Sequence, residues 1–268
     1  MSLFGKSNYN DNDARARLER KLYIAKESPE PDFDLSDCQL RQVPSGTYSI
    51  CKVYRKERLY LHTNSLQSLE EGGQLSDLYL IKVINLSSNR FSQLSDDIRY
   101  LINLTELYLQ DNVIKKLPEN IHFMQSLQIL DVSNNKLRNL TPSLGKLKFL
   151  RILKLTGNID LNELCPELCL APNLTTLEID GEQYVFPPPE VVQEEQNCTG
   201  VVDTNQTDDF VTEAECVICM DAKSEVVFVP CGHMCCCYSC SNNEMDSCPM
   251  CRGVIERTIK VIIEVLNK

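Results

Sequence analysis

Four pairs of metal-binding residue types stand near the C-terminus: Cys216-Val-Ile-Cys219, Cys231-Gly-His233, Cys237-Tyr-Ser-Cys240 and Cys248-Pro-Met-Cys251. Thiolates and imidazoles suit zinc, which takes four ligands tetrahedrally in a closed site, so eight ligands make two sites. A Cys-x-x-Cys turn brings two sulfurs onto one ion. Cys235 and Cys236 are left over. Using Cys236 in place of Cys237 would lengthen the gap to Cys240 and break that turn, so Cys237 is the expected ligand. The segment is too small for a large apolar core. Metal binding is then most of its folding free energy, on the order of 10–16 kcal/mol per structural zinc site. No Ser-His-Asp or Cys-His nucleophile set occurs, so covalent catalysis by this chain is not expected.

The elements that must carry this module come from 268 residues, enough for one large domain or two smaller ones. A net charge of −11 disfavours nucleic acid and anionic membrane surfaces, both of which need a basic face. Nine of the fourteen cysteines fall between 216 and 251. No positively charged stretch followed by an apolar core opens the sequence, and no apolar run is long enough to span a bilayer. Residue 2 is Ser, so N-myristoylation is not expected. The expectation is a cytoplasmic, reducing setting in which cysteines bind metal and are not paired as disulfides. His62 and His122 lack metal-spaced partners, and Cys165 and Cys169 have no second pair; all four are expected to be structural.

Asn89, Asn112, Asn135 and Asn158 recur every 23 residues. Each closes the same frame: Ile81, Ile84, Leu86; Leu104, Leu107, Leu109; Leu127, Leu130, Val132; Leu150, Leu153, Leu155. This LxxLxLxxN pattern is the leucine-rich repeat. Looser copies surround it, at Phe33, Leu35 and Cys38, at Leu59, Leu61 and Asn64, and at Leu174, Leu177 and Ile179, for about seven repeats. The frame predicts a short strand with its leucines turned inward. A buried Asn needs partners, and the backbone of the neighbouring turn can supply them. Segments such as Ile114, Leu117-Pro118 and Ile121 predict short helical or irregular pieces on the convex side. The expected fold is thus an α/β leucine-rich-repeat solenoid, a curved parallel sheet, followed by a small zinc domain. Tyr60, His62, Asn85, Tyr108, Gln110, Asp131 and Lys154 would line the concave face, the usual binding surface of such stacks.

The expected organisation is a capping helix at 1–29, repeats at 30–189, an acidic linker at 190–212 and the zinc domain with a terminal strand at 213–268. Ala14, Leu18, Leu22 and Ala25 share one helical face, and Asp11, Asn12 and Asp13 are N-cap candidates. An interfacial membrane helix is the rival, since Arg15, Arg17, Arg20, Lys21 and Lys26 cluster here; the narrow apolar face without large residues speaks against it. Residues 182–215 carry nine Asp or Glu and no Lys or Arg, with Pro187-Pro188-Pro189, the composition of a stiff and then disordered linker. Residues 182–190 are alternatively a capping turn.

The paired ligands resemble the RING finger in its C3HC4 form. That resemblance implies interleaved sites: Cys216, Cys219, Cys237 and Cys240 on one zinc ion, and Cys231, His233, Cys248 and Cys251 on the other. The stretch Val226-Val227-Phe228-Val229-Pro230-Cys231-Gly232-His233 is similar to the RING of inhibitor-of-apoptosis proteins. Together with the Cys235-Cys236-Cys237 run, it looks more like the leucine-rich-repeat and sterile-alpha-motif family of RING ubiquitin ligases. Ser2-Leu3-Phe4, Ala25-Lys26-Glu27, Cys51-Lys52-Val53 and His62-Thr63-Asn64-Ser65-Leu66 resemble that family's repeat domain. The chain departs from it between about 190 and 210, where the coiled coil, the sterile-alpha-motif domain and any Pro-(Ser/Thr)-Ala-Pro motif are missing, as in a short form.

What the resemblance implies is a ubiquitin ligase acting by positioning. Ile218 and Pro249 stand where such proteins contact a ubiquitin-conjugating enzyme, and Arg252 where they bridge that enzyme and ubiquitin. The bland roles are a core isoleucine, a turn proline and a surface arginine. The repeats would recruit a protein substrate. The alternative is a non-enzymatic repeat scaffold with a structural zinc module. Residues 254–266 are rich in β-branched types; related RING proteins end in an apolar tail that pairs two RINGs, which makes a homodimer one expectation and a strand packed on its own RING the other.

Overall fold

Each leucine frame becomes one rung. The computed structural model describes residues 10–161, 164–180, 215–242 and 245–264. The Ser-Leu-Phe opening, the alternative capping turn at 182–190 and the acidic linker at 190–212 lie outside the described residues. Seven strands run parallel in sequence order: β1 (Asp32–Asp34), β2 (Arg58–Tyr60), β3 (Val83–Asn85), β4 (Glu106–Tyr108), β5 (Ile129–Asp131), β6 (Ile152–Lys154) and β7 (Thr176–Asp180). The leucines stack in register, Leu59 beside Ile84, Leu107, Leu130, Leu153 and Leu177. All are buried, as alternation along a strand with one covered face requires. Short 3-10 turns such as Asp96–Tyr100, Glu119–Phe123 and Pro142–Lys146 return the chain between rungs.

The asparagines do what their burial demands. Asn112 donates from Nδ2 to the carbonyls of Leu109 in its own rung and Leu86 in the previous one, both at 3.0 Å. Its Oδ1 accepts from the Phe91 N–H at 2.9 Å. Asn89, Asn135 and Asn158 repeat this across their own neighbours. In the first rung, Cys38 holds the place of Asn and sends Sγ toward the Ser36 carbonyl.

Helix α1 (Asn10–Glu27) closes the N-terminal end. Ala14, Leu18 and Ala25 are buried, and Leu22 packs on the solenoid core. The face considered for a membrane surface is thus spent on the first rung. Lys21 pairs with Asp34 at 3.0 Å and donates to the Ser36 carbonyl. Lys56, fully buried, donates to the carbonyls of Ser28 and Glu30 and so fixes the exit of α1.

At the other end the sheet continues. The zinc domain contributes β8 (Val226–Val229), β9 (Met234–Cys236), helix α2 (Tyr238–Ser241) and the long strand β10 (Arg257–Glu264). β10 lies between β7 and β8, parallel to the first and antiparallel to the second. All four β8 residues are buried because both faces are covered. Val227 and Val229, with Ile259 and Val261 of β10, join the solenoid core. Val226 and Phe228 pack with Cys216, Cys235, Cys236, Cys237 and Cys248. Of the two roles expected for the tail, packing on its own RING is the one seen, and the same strand also closes the solenoid. One edge pairs with β8 over Arg257–Lys260 and the other with β7 over Lys260–Glu264.

Candidate metal centres

Two knuckles of the same build present the first and last ligand pairs. Cys216 N–H donates to the Ala222 carbonyl and Met220 N–H to the Cys216 carbonyl, at 2.7 and 2.8 Å. Cys248 N–H donates to the Gly253 carbonyl and Arg252 N–H to the Cys248 carbonyl, both at 2.8 Å. Each knuckle closes on a left-handed residue, Met220 at φ 54° and Arg252 at φ 60°. Gly232, at φ 74°, makes the turn between β8 and β9 that presents Cys231 and His233. Cys237 precedes α2, where its sulfur accepts from the Cys240 N–H.

The structure brings the eight residues into two groups of four, Cys216, Cys219, Cys237, Cys240 and Cys231, His233, Cys248, Cys251. Within each group the ligand atoms all lie within 4.8 Å of one another. Cys219 and Cys237 sulfurs are 3.9 Å apart, and Cys248 Sγ is 3.7 Å from His233 Nδ1. Tetrahedral ligands at zinc–sulfur distances of about 2.3 Å stand about 3.8 Å apart. The donor sets therefore fit two zinc ions, with the interleaving that the resemblance implied.

The electrostatics agree. Burial opposes ionisation of Cys216, but the N–H groups of Cys219, Cys237 and Ile218 outweigh it and bring the thiol down to about 6. Cys248 is lowered in the same way: burial opposes, and the Cys251 and Met250 N–H groups prevail. Cys240 is pushed up to about 12, first by its hydrogen bond to Cys237 and then by burial. Cys231 rises to about 12 through burial and then Cys248. The four thiols of one group and the three of the other cannot all ionise without a cation among them, and a bound divalent ion reverses that balance. Cys235 and Cys236 are strand residues, both buried, in the wall behind the ligands. Cys236 faces Val226 across the β8–β9 pair.

Ile218 is 47% exposed, and Pro249 and Arg252 are exposed as well. All three stand on the outer turns of the knuckles, outside both ligand groups. The sequence reasoning missed their apolar neighbours Val217, Met220, Met250 and Val254, which are also exposed. The signal was available: no packing explains apolar residues placed between or just after ligands.

On the outward face of the solenoid sheet, Tyr60, His62, Asn85, Tyr108, Gln110 and Lys154 are half-buried. Tyr60 and His62 meet edge to face at 6.5 Å. Tyr108 donates to Glu106 at 2.9 Å, and burial with that bond pushes its hydroxyl up to about 12. Asp131 is buried, since its carboxylate accepts from both Ser133 N and Oγ. It shapes its own turn and offers little to a partner. Of the histidines without metal-spaced partners, His122 stacks on Phe123 at 4.1 Å. No helix among the described residues is long and apolar enough to cross a membrane.

Residues 212–258 match the zinc finger, C3HC4 type (RING finger), and residues 126–147 match the leucine-rich repeat. The chain is 39% identical over 103 residues to the mouse E3 ubiquitin-protein ligase LRSAM1, covering 38% of this chain and 14% of that protein. It is 45% identical over 60 residues to the Arabidopsis thaliana E3 ubiquitin-protein ligase SP1, covering 22% and 17%. Against a putative inhibitor of apoptosis from Sus scrofa it is 39% identical over 51 residues, covering 19% and 14%. The chain thus spans less than a fifth of the length of these relatives. It is a leucine-rich-repeat solenoid carrying a C3HC4 RING finger whose two ligand sets suit two zinc ions.

Proposed function

We propose that this chain is a RING-type ubiquitin ligase. The observation that carries the reading is the exposure of Ile218, Pro249 and Arg252 on knuckles whose ligands converge on the two metal sites. A buried isoleucine or a tightly packed proline would have served only the fold. Two of the similar proteins are named ubiquitin-protein ligases, and their likeness here falls on a small part of each. In this reading Ile218 and Pro249 contact a ubiquitin-conjugating enzyme. Arg252, with five donors in a planar fork, bonds enzyme and ubiquitin together. The RING supplies no nucleophile. It holds the thioester-linked ubiquitin so that a substrate lysine amine attacks the carbonyl, an isopeptide bond forms and the enzyme's cysteine thiolate leaves; this is catalysis by orientation.

The repeats recruit a protein substrate on the sheet face that carries Tyr60 and Tyr108, and the chain works in the cytoplasm. Arg257–Lys260 is paired to β8 on one edge and Lys260–Glu264 to β7 on the other, so a homodimer through the RING would not use those paired stretches. A scaffold without ligase activity is the second reading. One observation favours it: the zinc domain shares the solenoid's core, a purely structural use. Purified chain incubated with activating enzyme, conjugating enzyme, ubiquitin and ATP separates the two. Self-modification that depends on Ile218 supports the ligase; none with a panel of conjugating enzymes leaves the scaffold.

A further inference from the structure

We infer that the RING, through the strand Arg257–Glu264, is the C-terminal cap of the solenoid, and that this joint fixes where ubiquitin is delivered relative to the repeat face. The second half rests on the ligase reading above. A repeat stack must cover its last strand, whose free edge and apolar face would otherwise meet water. Here β10 covers the edge of β7 over five register pairs, from Lys260 beside Thr176 to Glu264 beside Asp180. Lys260 N–H donates to the Thr175 carbonyl at 2.9 Å, and the Arg257 guanidinium donates to the Leu174 carbonyl at 3.1 Å. Val261 and Ile259 extend the buried row of Leu177 and Ile179. On its other edge β10 is bonded into the RING: Val261 N–H donates to the Glu225 backbone carbonyl, and Lys260 Nζ lies 4.6 Å from the Tyr238 ring centre.

β8 is the shared wall. One face finishes the solenoid core and the other faces the zinc ligands. Loss of metal would loosen β8, then β10, and so bare the last rung. A RING on a free tether reaches lysines in many places, whereas one built into the sheet presents its ubiquitin to few.

Hydrogen exchange on the full chain tests the cap. We expect amides of 257–264 to exchange as slowly as those of 152–154. A chelator should release 226–229, 257–264 and 176–180 together while 83–85 stays protected. Lys260→Pro removes the N–H that faces the solenoid. We expect it to keep discharge onto free lysine near the parent rate, yet widen the set of self-modified lysines by about twofold or more. If that variant fails to hold two zinc ions, Arg257→Ala with Val261→Ala is read in the same way. Fast exchange of 257–264 in zinc-loaded parent overturns the cap. An unchanged lysine set, with 176–180 opened, overturns the positioning claim. If the parent discharges no ubiquitin, the ligase reading and the delivery claim fall together, and the exchange result alone decides the cap.

Discussion

Arg252 combines an exposed side chain with a left-handed backbone, φ 60°, at the close of the second knuckle. It is not a ligand, so its loss should leave both metals bound. Arg252→Ala should slow ubiquitin discharge about tenfold or more if one charged contact of roughly 1.5–3 kcal/mol is lost. Arg252→Gly relaxes the left-handed residue and should lose discharge equally, which separates the side chain's role from the turn's. Parent-rate discharge in both would remove the positioning mechanism. Ile218→Ala should instead weaken binding of the conjugating enzyme, measured by titration. Buried Asn112 gives a second test at this scale. Asn112→Asp keeps the shape but cannot donate to Leu86 and Leu109. It should cost at least about 2 kcal/mol in denaturant unfolding, since the carbonyls it leaves are buried. A smaller loss would mean that the ladder matters less than the leucines.

Among the elements, α1 depends on one buried charge. Lys56 ties the carbonyls of Ser28 and Glu30, just past the helix, to the second rung. Lys56→Met keeps the stem's packing and removes both bonds, each worth about 1–3 kcal/mol when a buried partner is stranded. We expect early proteolysis near residues 27–32 with the later rungs intact; unaltered protease resistance would assign the anchoring to Leu18 and Ala25 alone. β8 shows why a strand buried on both faces reads as a continuous apolar run. Val226-Val227-Phe228-Val229 alternates between two cores, not between core and water.

For the whole molecule, metal analysis should give two zinc ions per chain, and fewer than about one and a half would argue against two closed sites. Among the described residues the solenoid holds no ligand set, which by itself would leave its strands indifferent to a chelator. The shared wall of β8 and β10 predicts the opposite for the last rungs. Tyr60→Ala with Tyr108→Ala should weaken capture of a verified substrate and spare ubiquitin discharge. Unchanged capture would move the binding site off this sheet face.

The repeats and the ligands were legible in the residues alone, because both are local and periodic. Leucine spacing sets which side chains turn inward, Asn89 and its successors mark each turn, and ligand spacing sets each knuckle. Helical spacing also placed Ala14, Leu18, Leu22 and Ala25 on one packed face. What the tail pairs with inside the chain came from the fold, not from spacing. An apolar β-branched strand will pair with any open edge of suitable register, and Arg257–Glu264 had candidates in a second RING, its own RING and the last repeat. Likewise Asp131 looked like an open surface group until its Ser133 bonds were seen. Contacts between residues far apart in the chain depend on which edges and faces remain uncovered after the local elements form, and no spacing rule records that.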